Sequence, residues 1–197
     1  MFKYWKGNRM KRKTTRRKLK RGPQIIMPKD CGIILSYTMF EPGSRIVDAG
    51  AGSGFLATFL GKYNKPGKVY TYEKNEKFLD IIKDNIKKSG LEKFVKLKNV
   101  DVTKGIKEKR LDLVTLDLKD AYKAIPHAYT SLKINGKIVV YSPTVEHLIK
   151  SLKSLRKAGF KDIETVENIL REWKSEYTTR PKTMGIMHTG FLTFAKK

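Results

Sequence analysis

Residues 45–54 read RIVDAGAGSG and residues 68–73 read KVYTYE. Each begins with a short run of apolar and β-branched residues, which predicts a buried β-strand. Three glycines at alternating positions follow the first strand, and they let the backbone turn tightly and approach a ligand closely. Glycine-rich turns between a strand and a helix are typical of nucleoside-cofactor sites in doubly wound α/β folds. We therefore expect such a fold, with its functional site at the carboxyl ends of the strands.

The remainder of the chain alternates between strand and helix patterns. Further strands are predicted at residues 95–99, 112–117, 137–141, 161–172 and 188–196. Helices are predicted at residues 29–39, 55–62, 75–89, 121–133 and 145–158. This alternation predicts a mostly parallel sheet of seven strands with helices on both faces. No helix pattern separates the last two strands, so we expect a C-terminal antiparallel strand at one edge of the sheet.

The chain of 197 residues fits one α/β domain. Residues 1–21 contain 11 lysines and arginines and no acidic residue, which predicts a flexible basic arm before a single domain over residues 22–197. No segment approaches the roughly 20 apolar residues of a membrane span. The single cysteine, Cys31, cannot form an internal disulfide and favours a cytoplasmic location.

The formal net charge of +24 does not come from the arm alone. Removing the 11 basic residues of the arm from the total of 43 leaves 32 against 19 acidic residues. This excess favours a nucleic acid partner, because each neutralised phosphate releases a condensed counterion. A solvated lysine-rich surface is the alternative, but it would carry more compensating glutamate. A membrane surface is a weaker candidate for the partner of this positive charge, since the arm has no clear apolar face.

The glycine spacing discriminates between cofactors. Residues 48–54 place G-x-G-x-G after Asp48, whereas the dinucleotide fingerprint is G-x-G-x-x-G. An acid in this loop would repel a pyrophosphate, yet it suits the ammonium group of S-adenosylmethionine. Glu73 ends the second strand, where a carboxylate can accept hydrogen bonds from both ribose hydroxyls. We expect S-adenosylmethionine, with NAD as the weaker alternative, and no metal, because no histidine lies near the cysteine in sequence.

The fourth strand ends at Asp117, the position where reacting groups lie in doubly wound folds. The Asn/Asp-Pro-Pro-aromatic motif of exocyclic-amine methyltransferases is absent there, and Cys31 lies too far upstream to serve cytosine-C5 chemistry. Asp117 is therefore the candidate catalytic residue. Helix capping is its alternative role, although Asp120 is better placed for that. For Asp101, after the third strand, contact with adenine and capping of the next turn are equally open.

These residues resemble the tRNA adenine-N1-methyltransferase family of class I S-adenosylmethionine-dependent enzymes. The resemblance covers residue 21 to the C-terminus and depends mainly on GPQ at 22–24, PKD at 28–30 and HTGFL at 188–192. It implies that Asp117 is catalytic. With the glycine loop, it implies a cofactor site made of Asp48, Gly50, Gly52, Ser53, Gly54, Phe55, Leu56, Glu73, Asp101 and Asp117. It also implies that the target base is bordered by Gln24, Met27, His188 and Thr189, with Met27 where members commonly have tyrosine or histidine.

The resemblance implies methyl transfer to N1 of a T-loop adenosine in tRNA, by a cytoplasmic homotetramer. Members usually carry a small β-rich domain before the GPQ segment, where this chain has the basic arm. Two alternatives stay open. One is another class I methyltransferase acting on a different RNA or on a small molecule, although the charge disfavours a small molecule. The other is a non-catalytic RNA-binding relative, which the intact Asp48, Glu73 and Asp117 disfavour.

Overall fold

The computed structural model describes residues 19–20, 26–175, 178–183 and 188–197. Within them, seven strands form one sheet: β1 (Arg45–Ala49), β2 (Lys68–Tyr72), β3 (Val95–Lys98), β4 (Leu111–Leu116), β5 (Leu132–Ser142), β6 (Lys161–Glu167) and β9 (Phe191–Lys196). A separate antiparallel pair is formed by β7 (Trp173–Ser175) and β8 (Thr179–Pro181). The helices are α1 (Pro28–Thr38), α2 (Phe55–Tyr63), α3 (Leu79–Lys88), α4 (Ala121–Ser131) and α5 (Val145–Ala158). The predicted arm lies outside the described residues, apart from residues 19–20.

The strand order is β3-β2-β1-β4-β5-β9-β6. The pairs among β1 to β5 are parallel, and β9 is antiparallel to both β5 and β6. The predicted seven-stranded, mostly parallel α/β sheet is confirmed. The predicted position of the C-terminal strand at the edge of the sheet is wrong. This strand, β9, lies between β5 and β6, and β6 is the edge strand. The composition explains this order: β6 is charged and largely exposed, whereas the central residues of β9 are buried.

The largest differences from the predicted element boundaries occur in three elements. The helix predicted at 75–89 is divided into a 3₁₀ turn at Glu76–Phe78 and α3, with the Asn75 side chain accepting the Lys77 amide as a cap. The strand predicted at 161–172 ends at Glu167, and β5 begins at Leu132 instead of residue 137. Among the described helices, none is long and apolar enough to cross a membrane.

The sheet separates two hydrophobic clusters. Ile46 and Leu113 lie in the cluster that includes residues of α1, α2 and α3, whereas their neighbours Val47 and Val114 pack with α4 and α5. Since side chains alternate along a strand, Asp48 faces the same side as Ile46. The carboxyl ends of the parallel strands β1, β2, β4 and β5 lie together at one end of the sheet, where the functional site is predicted.

Candidate active site

The loop over residues 50–54 turns sharply between β1 and α2. Gly50 has a φ of +86°, and a Cβ at this position would lie 1.9 Å from the backbone oxygen of Asp117. The amides of Gly50 and Ala51 both donate to the carbonyl of Tyr72, at 3.1 Å each. The loop is thus fixed between the ends of β2 and β4, and only glycine fits at its first position.

Glu73 is buried directly after β2 and holds the loop from one side. One of its carboxylate oxygens accepts the amide of Gly52 at 3.0 Å, and the other accepts the amide of Asn75 at 2.8 Å. Gly52 and Gly54 have φ values of +55° and +74°, in the region that favours glycine. A carboxylate has about four acceptor positions, so Glu73 retains capacity for further donors such as ribose hydroxyls.

Asp48 is the last polar residue of β1 and is 2% exposed. Its two oxygens accept hydrogen bonds from the hydroxyls of Thr71 at 2.9 Å and Thr115 at 2.8 Å. Both threonines lie opposite Asp48 in the parallel register of the neighbouring strands. Burial raises the pKa of Asp48 to about 6, the two hydroxyl hydrogen bonds oppose this effect, and the charge of Glu73 adds to it. Asp48 therefore places a buried negative charge immediately before the glycine loop.

Asp117 follows β4, and its amide donates to the carbonyl of Ala49 at 2.8 Å. Burial, with a contribution from the charge of Asp48, raises the pKa of Asp117 to about 7. Within the described residues, no lysine or arginine is paired with either carboxylate. Two carboxylates with raised pKa values, and with no cationic partner in the described part of the chain, make a site that favours a positively charged ligand.

The first turn of α1 is joined to the segment before β9 by a buried network. The Lys29 ammonium donates to an Asp30 oxygen and to the Thr189 hydroxyl, at 2.8 Å each, and also to the carbonyl of Asn168. The Thr189 hydroxyl donates to the other Asp30 oxygen at 2.8 Å. The Tyr141 hydroxyl of β5 donates to the Thr189 carbonyl. The PKD and HTGFL segments, far apart in sequence, thus form one structural unit.

Cys31 shows where this unit lies relative to the carboxylates. Its thiol is fully buried in the core. Burial raises its pKa to about 12, and the charges of Asp30, Asp48 and Asp117 add to the shift. Cys31 packs in the same hydrophobic cluster as Ile46 of β1, which shares a strand face with Asp48. The first turn of α1 therefore lies on the side of β1 that carries Asp48.

His188 lies beside the carboxyl end of β5, the strand next to β4. Its Nδ1 contacts a carboxylate oxygen of Glu167, and its Nε2 lies 3.3 Å from the carbonyl oxygen of Pro143. The hydrogen bond to Glu167 and that to the Pro143 carbonyl raise the pKa of His188. This exposed imidazole is therefore held at the same edge of the sheet as Asp117.

Met27 and Gln24 are the other two residues that are predicted to border the target base. Met27 precedes α1, and its carbonyl accepts the amides of Asp30 at 2.9 Å and Cys31 at 3.0 Å. It thus caps the turn that carries the Lys29–Asp30 network. Gln24 lies outside the described residues.

The remaining cofactor candidates surround the start of α2. Ser53 is buried, and its carbonyl accepts the side-chain amide of Asn85 at 2.8 Å. Leu56 belongs to the hydrophobic core, and Phe55 is partly buried against it. Ser53, Phe55 and Leu56 thus attach the glycine loop to the core. Their contact with a cofactor stays a prediction.

Asp101 adopts the capping role that the sequence left open. Its carboxylate accepts the amide of Thr103 at 2.9 Å and the hydroxyl of the same residue at 2.7 Å. Contact of Asp101 with adenine stays a prediction. Asp120 occupies the N-cap position of α4 without a side-chain cap, and its carboxylate lies 3.2 Å from the Lys123 ammonium.

Sequence reasoning missed the partners that hold the site. Thr71 and Thr115 could have been found, since each lies on the strand face that Asp48 shares. Lys29 and Asp30 belong to the PKD motif, from which the sequence predicts no specific role for either residue. Asn168 contacts Lys29 from a loop with no distinctive sequence pattern, so no signal pointed to it.

Residues 15–179 match the protein family described as tRNA methyltransferase complex GCD14 subunit. The chain is also 33% identical over 208 residues to a Methanocaldococcus jannaschii protein named tRNA (adenine(57)-N(1)/adenine(58)-N(1))-methyltransferase TrmI. That alignment covers 91% of this chain and 74% of the relative.

Two solved structures are similar over most of the chain. One is a tRNA (m1A58) methyltransferase TrmI from Aquifex aeolicus, with a TM-score of 0.83, 29% identity, and coverage of 91% of this chain and 72% of that one. The other is described as an S-adenosylmethionine-dependent O-methyltransferase from Thermotoga maritima. It has a TM-score of 0.84, 34% identity, and coverage of 88% of this chain and 66% of that one.

Proposed function

This chain belongs to the GCD14 family of tRNA methyltransferases, and we propose that it transfers a methyl group from S-adenosylmethionine to N1 of a T-loop adenosine in tRNA. The observation that carries this proposal is the pair of carboxylates, Asp48 and Asp117, which lie beside the glycine loop with raised pKa values. Such a pair suits a cationic methyl donor and a reaction that creates positive charge.

The residues at the loop fit S-adenosylmethionine, which supplies an electrophilic methyl group on a sulfonium ion. Gly50, Gly52 and Gly54 allow close approach of the backbone, and a Cβ at Gly50 would collide with the backbone of Asp117, so only glycine keeps the loop in this position. Glu73 retains acceptor capacity for ribose hydroxyls. The negative charge at Asp48 and Asp117 complements the ammonium and sulfonium groups of the donor.

Asp117 stabilises the developing charge in the proposed reaction. Adenine N1 has an in-plane lone pair, so no base is needed to create the nucleophile. Methylation puts positive charge on the purine, shared with N6. A carboxylate that accepts a hydrogen bond from N6 stabilises that charge as it forms, and alignment of N1 with the methyl group supplies much of the remaining acceleration.

The Lys29–Asp30–Thr189 network holds the segment that borders the target base. N1 lies on the Watson–Crick edge, so the adenosine has to leave its folded position before it can react. His188 and Thr189 are fixed by contacts to β5, β6 and α1. They lie beside the carboxyl end of β5, the strand next to β4, and this position suits one side of a pocket for an extruded base. We further propose that the enzyme works in the cytoplasm as a homotetramer.

Methylation of a defined tRNA tests this function. The protein is incubated with unmodified tRNA and S-adenosylmethionine, and modified nucleosides are mapped by mass spectrometry. We expect 1-methyladenosine in the T-loop, its loss with Asp117→Ala, and its retention with Asp120→Ala, a matched carboxylate on the same loop. Methylation of another nucleoside, or none with any tRNA, would overturn the proposal.

A further inference from the structure

A basic groove lies at the amino-terminal ends of the parallel strands, whereas the glycine loop lies at their carboxyl ends. Its cavity volume is about 700 Å³, and its cations are Arg45, Lys107, Lys109, Arg110 and Lys133. Arg45 begins β1, the strand that ends beside the glycine loop. A strand of five residues at about 3.3 Å per residue spans about 16 Å. The groove is therefore separate from the candidate active site.

The carboxylates in this groove are neutralised within the protein. Glu108 is 7% exposed and accepts a hydrogen bond from the ammonium of Lys98. Asp112 accepts the backbone amide of Arg45 at 2.7 Å, and its other oxygen lies 2.5 Å from the Lys133 ammonium. Glu108 and Asp112 are thus bound to other groups of the protein, and they do not offset the positive charge of the other cations in the groove.

The remaining cations project from one short segment. Lys107, Lys109 and Arg110 are exposed, while Glu108 between them is buried. Arg110 has a φ of +55°, a left-handed conformation that costs a non-glycine residue about 1–2 kcal/mol. Glycine would relieve this cost, so the arginine side chain contributes something that the fold alone does not need. The guanidinium of Arg45 lies 5.7 Å from the centre of the Tyr70 ring, which fixes its position in the groove.

We propose that this groove binds the phosphodiester backbone of the same tRNA whose adenosine is methylated at the opposite edge of the sheet. This inference rests on the proposed function. Cations spaced along residues 107–110 match phosphates repeated along a strand, whereas a single small phosphate is usually held by converging backbone amides. A folded RNA is large enough to contact both edges at once, so the groove adds affinity and register without joining the chemistry.

The salt dependence of tRNA binding tests the groove. The variant combines Lys107→Ala, Lys109→Ala and Arg110→Ala, and its matched control combines Lys153→Ala, Arg156→Ala and Lys157→Ala on the exposed side of α5. Each lost phosphate contact lowers the slope of log affinity against log salt by about 0.7–0.9. We expect the groove variant to lose about two units of slope and to bind tRNA at least tenfold more weakly at low salt. The control should keep the wild-type slope.

Two further measurements separate the possible outcomes. Affinity for S-adenosylmethionine, measured by calorimetry, should be unchanged in the groove variant and shows that it is folded. Inorganic phosphate at millimolar concentration should not displace tRNA from the groove beyond its ionic-strength effect. A wild-type slope in the groove variant, an equal loss in the control, or specific displacement by phosphate would overturn the inference. Because the readout is binding, these results are independent of which nucleoside is methylated.

Discussion

The hydroxyl of Thr189 donates a hydrogen bond of 2.8 Å to the carboxylate of Asp30, across 159 positions of the sequence. The ammonium of Lys29 contacts both residues, and the side chains of Lys29 and Asp30 are only 10% and 1% exposed. The segment before β9 is therefore fixed to α1 by buried charge. Removing one partner of such a buried ion pair destabilises the protein, because the remaining charge stays buried without its partner.

Lys29→Met is expected to destabilise the protein by about 3–5 kcal/mol, because it leaves the Asp30 carboxylate buried without a cation. The double variant Lys29→Met, Asp30→Asn should recover part of this loss. Denaturant unfolding measures both. Lys83→Met, which removes the exposed partner of Asp80 at 3.8 Å, is the matched control and should cost less than about 1 kcal/mol. Equal effects of Lys29→Met and Lys83→Met would contradict a buried pair.

Gly50→Ala is expected to abolish binding of S-adenosylmethionine. The new Cβ would lie 1.9 Å from the backbone oxygen of Asp117, at a φ of +86°. Gly90→Ala is the matched control, since its φ of +63° is also positive, no atom of the described residues lies within 4 Å of its Cβ, and it follows α3, outside the predicted cofactor site. It should weaken binding far less. Calorimetry with S-adenosylmethionine measures both, and tight binding by the Gly50 variant would remove this loop from the cofactor site.

The glycine loop and its acids could be placed from sequence, because their types and spacing are set by local backbone geometry. Asp48, Gly50, Glu73 and Asp117 all lie at the predicted edge of the sheet. The contacts of Asp30 with Thr189 could not be derived, since they depend on how α1 packs against the last strand. The position of β9 between β5 and β6 could not be predicted for a similar reason, because it depends on tertiary packing and not on the local sequence.

The rate of methyl transfer is expected to rise with pH through about 7. Asp117, with a pKa raised to about 7, has to be ionised to stabilise the developing purine charge. The value of kcat/KM reports groups of the free enzyme, so it should fall about tenfold per unit below this pKa and reach a plateau above it. Asp117→Asn should lose this dependence. A profile with the same inflection in that variant would assign the pKa to another group.

Thermal stability without cofactor is expected to fall as pH rises from about 4 to about 7. Asp48 has a pKa raised from 3.8 to about 6, so the folded state retains a proton that the unfolded state releases. The stabilisation from that proton is complete below the unfolded pKa and is lost as pH rises through the folded one. For Asp48 it amounts to about 3 kcal/mol. Melting temperatures of Asp48→Asn and wild type across this range measure it, and parallel curves would contradict the assignment.

The most direct measurement is single-turnover methyl transfer by Asp117→Ala, with tRNA and cofactor both saturating. Loss of one preorganised stabilising group typically costs on the order of 100- to 1,000-fold in rate, and we expect a loss of that size. Binding of tRNA at matched salt should be unchanged, because the phosphate contacts lie elsewhere. Asp120→Ala, which removes a carboxylate from the same loop, should transfer at the wild-type rate. Near-wild-type transfer by the Asp117 variant would contradict the role of this carboxylate in stabilising the methylated purine.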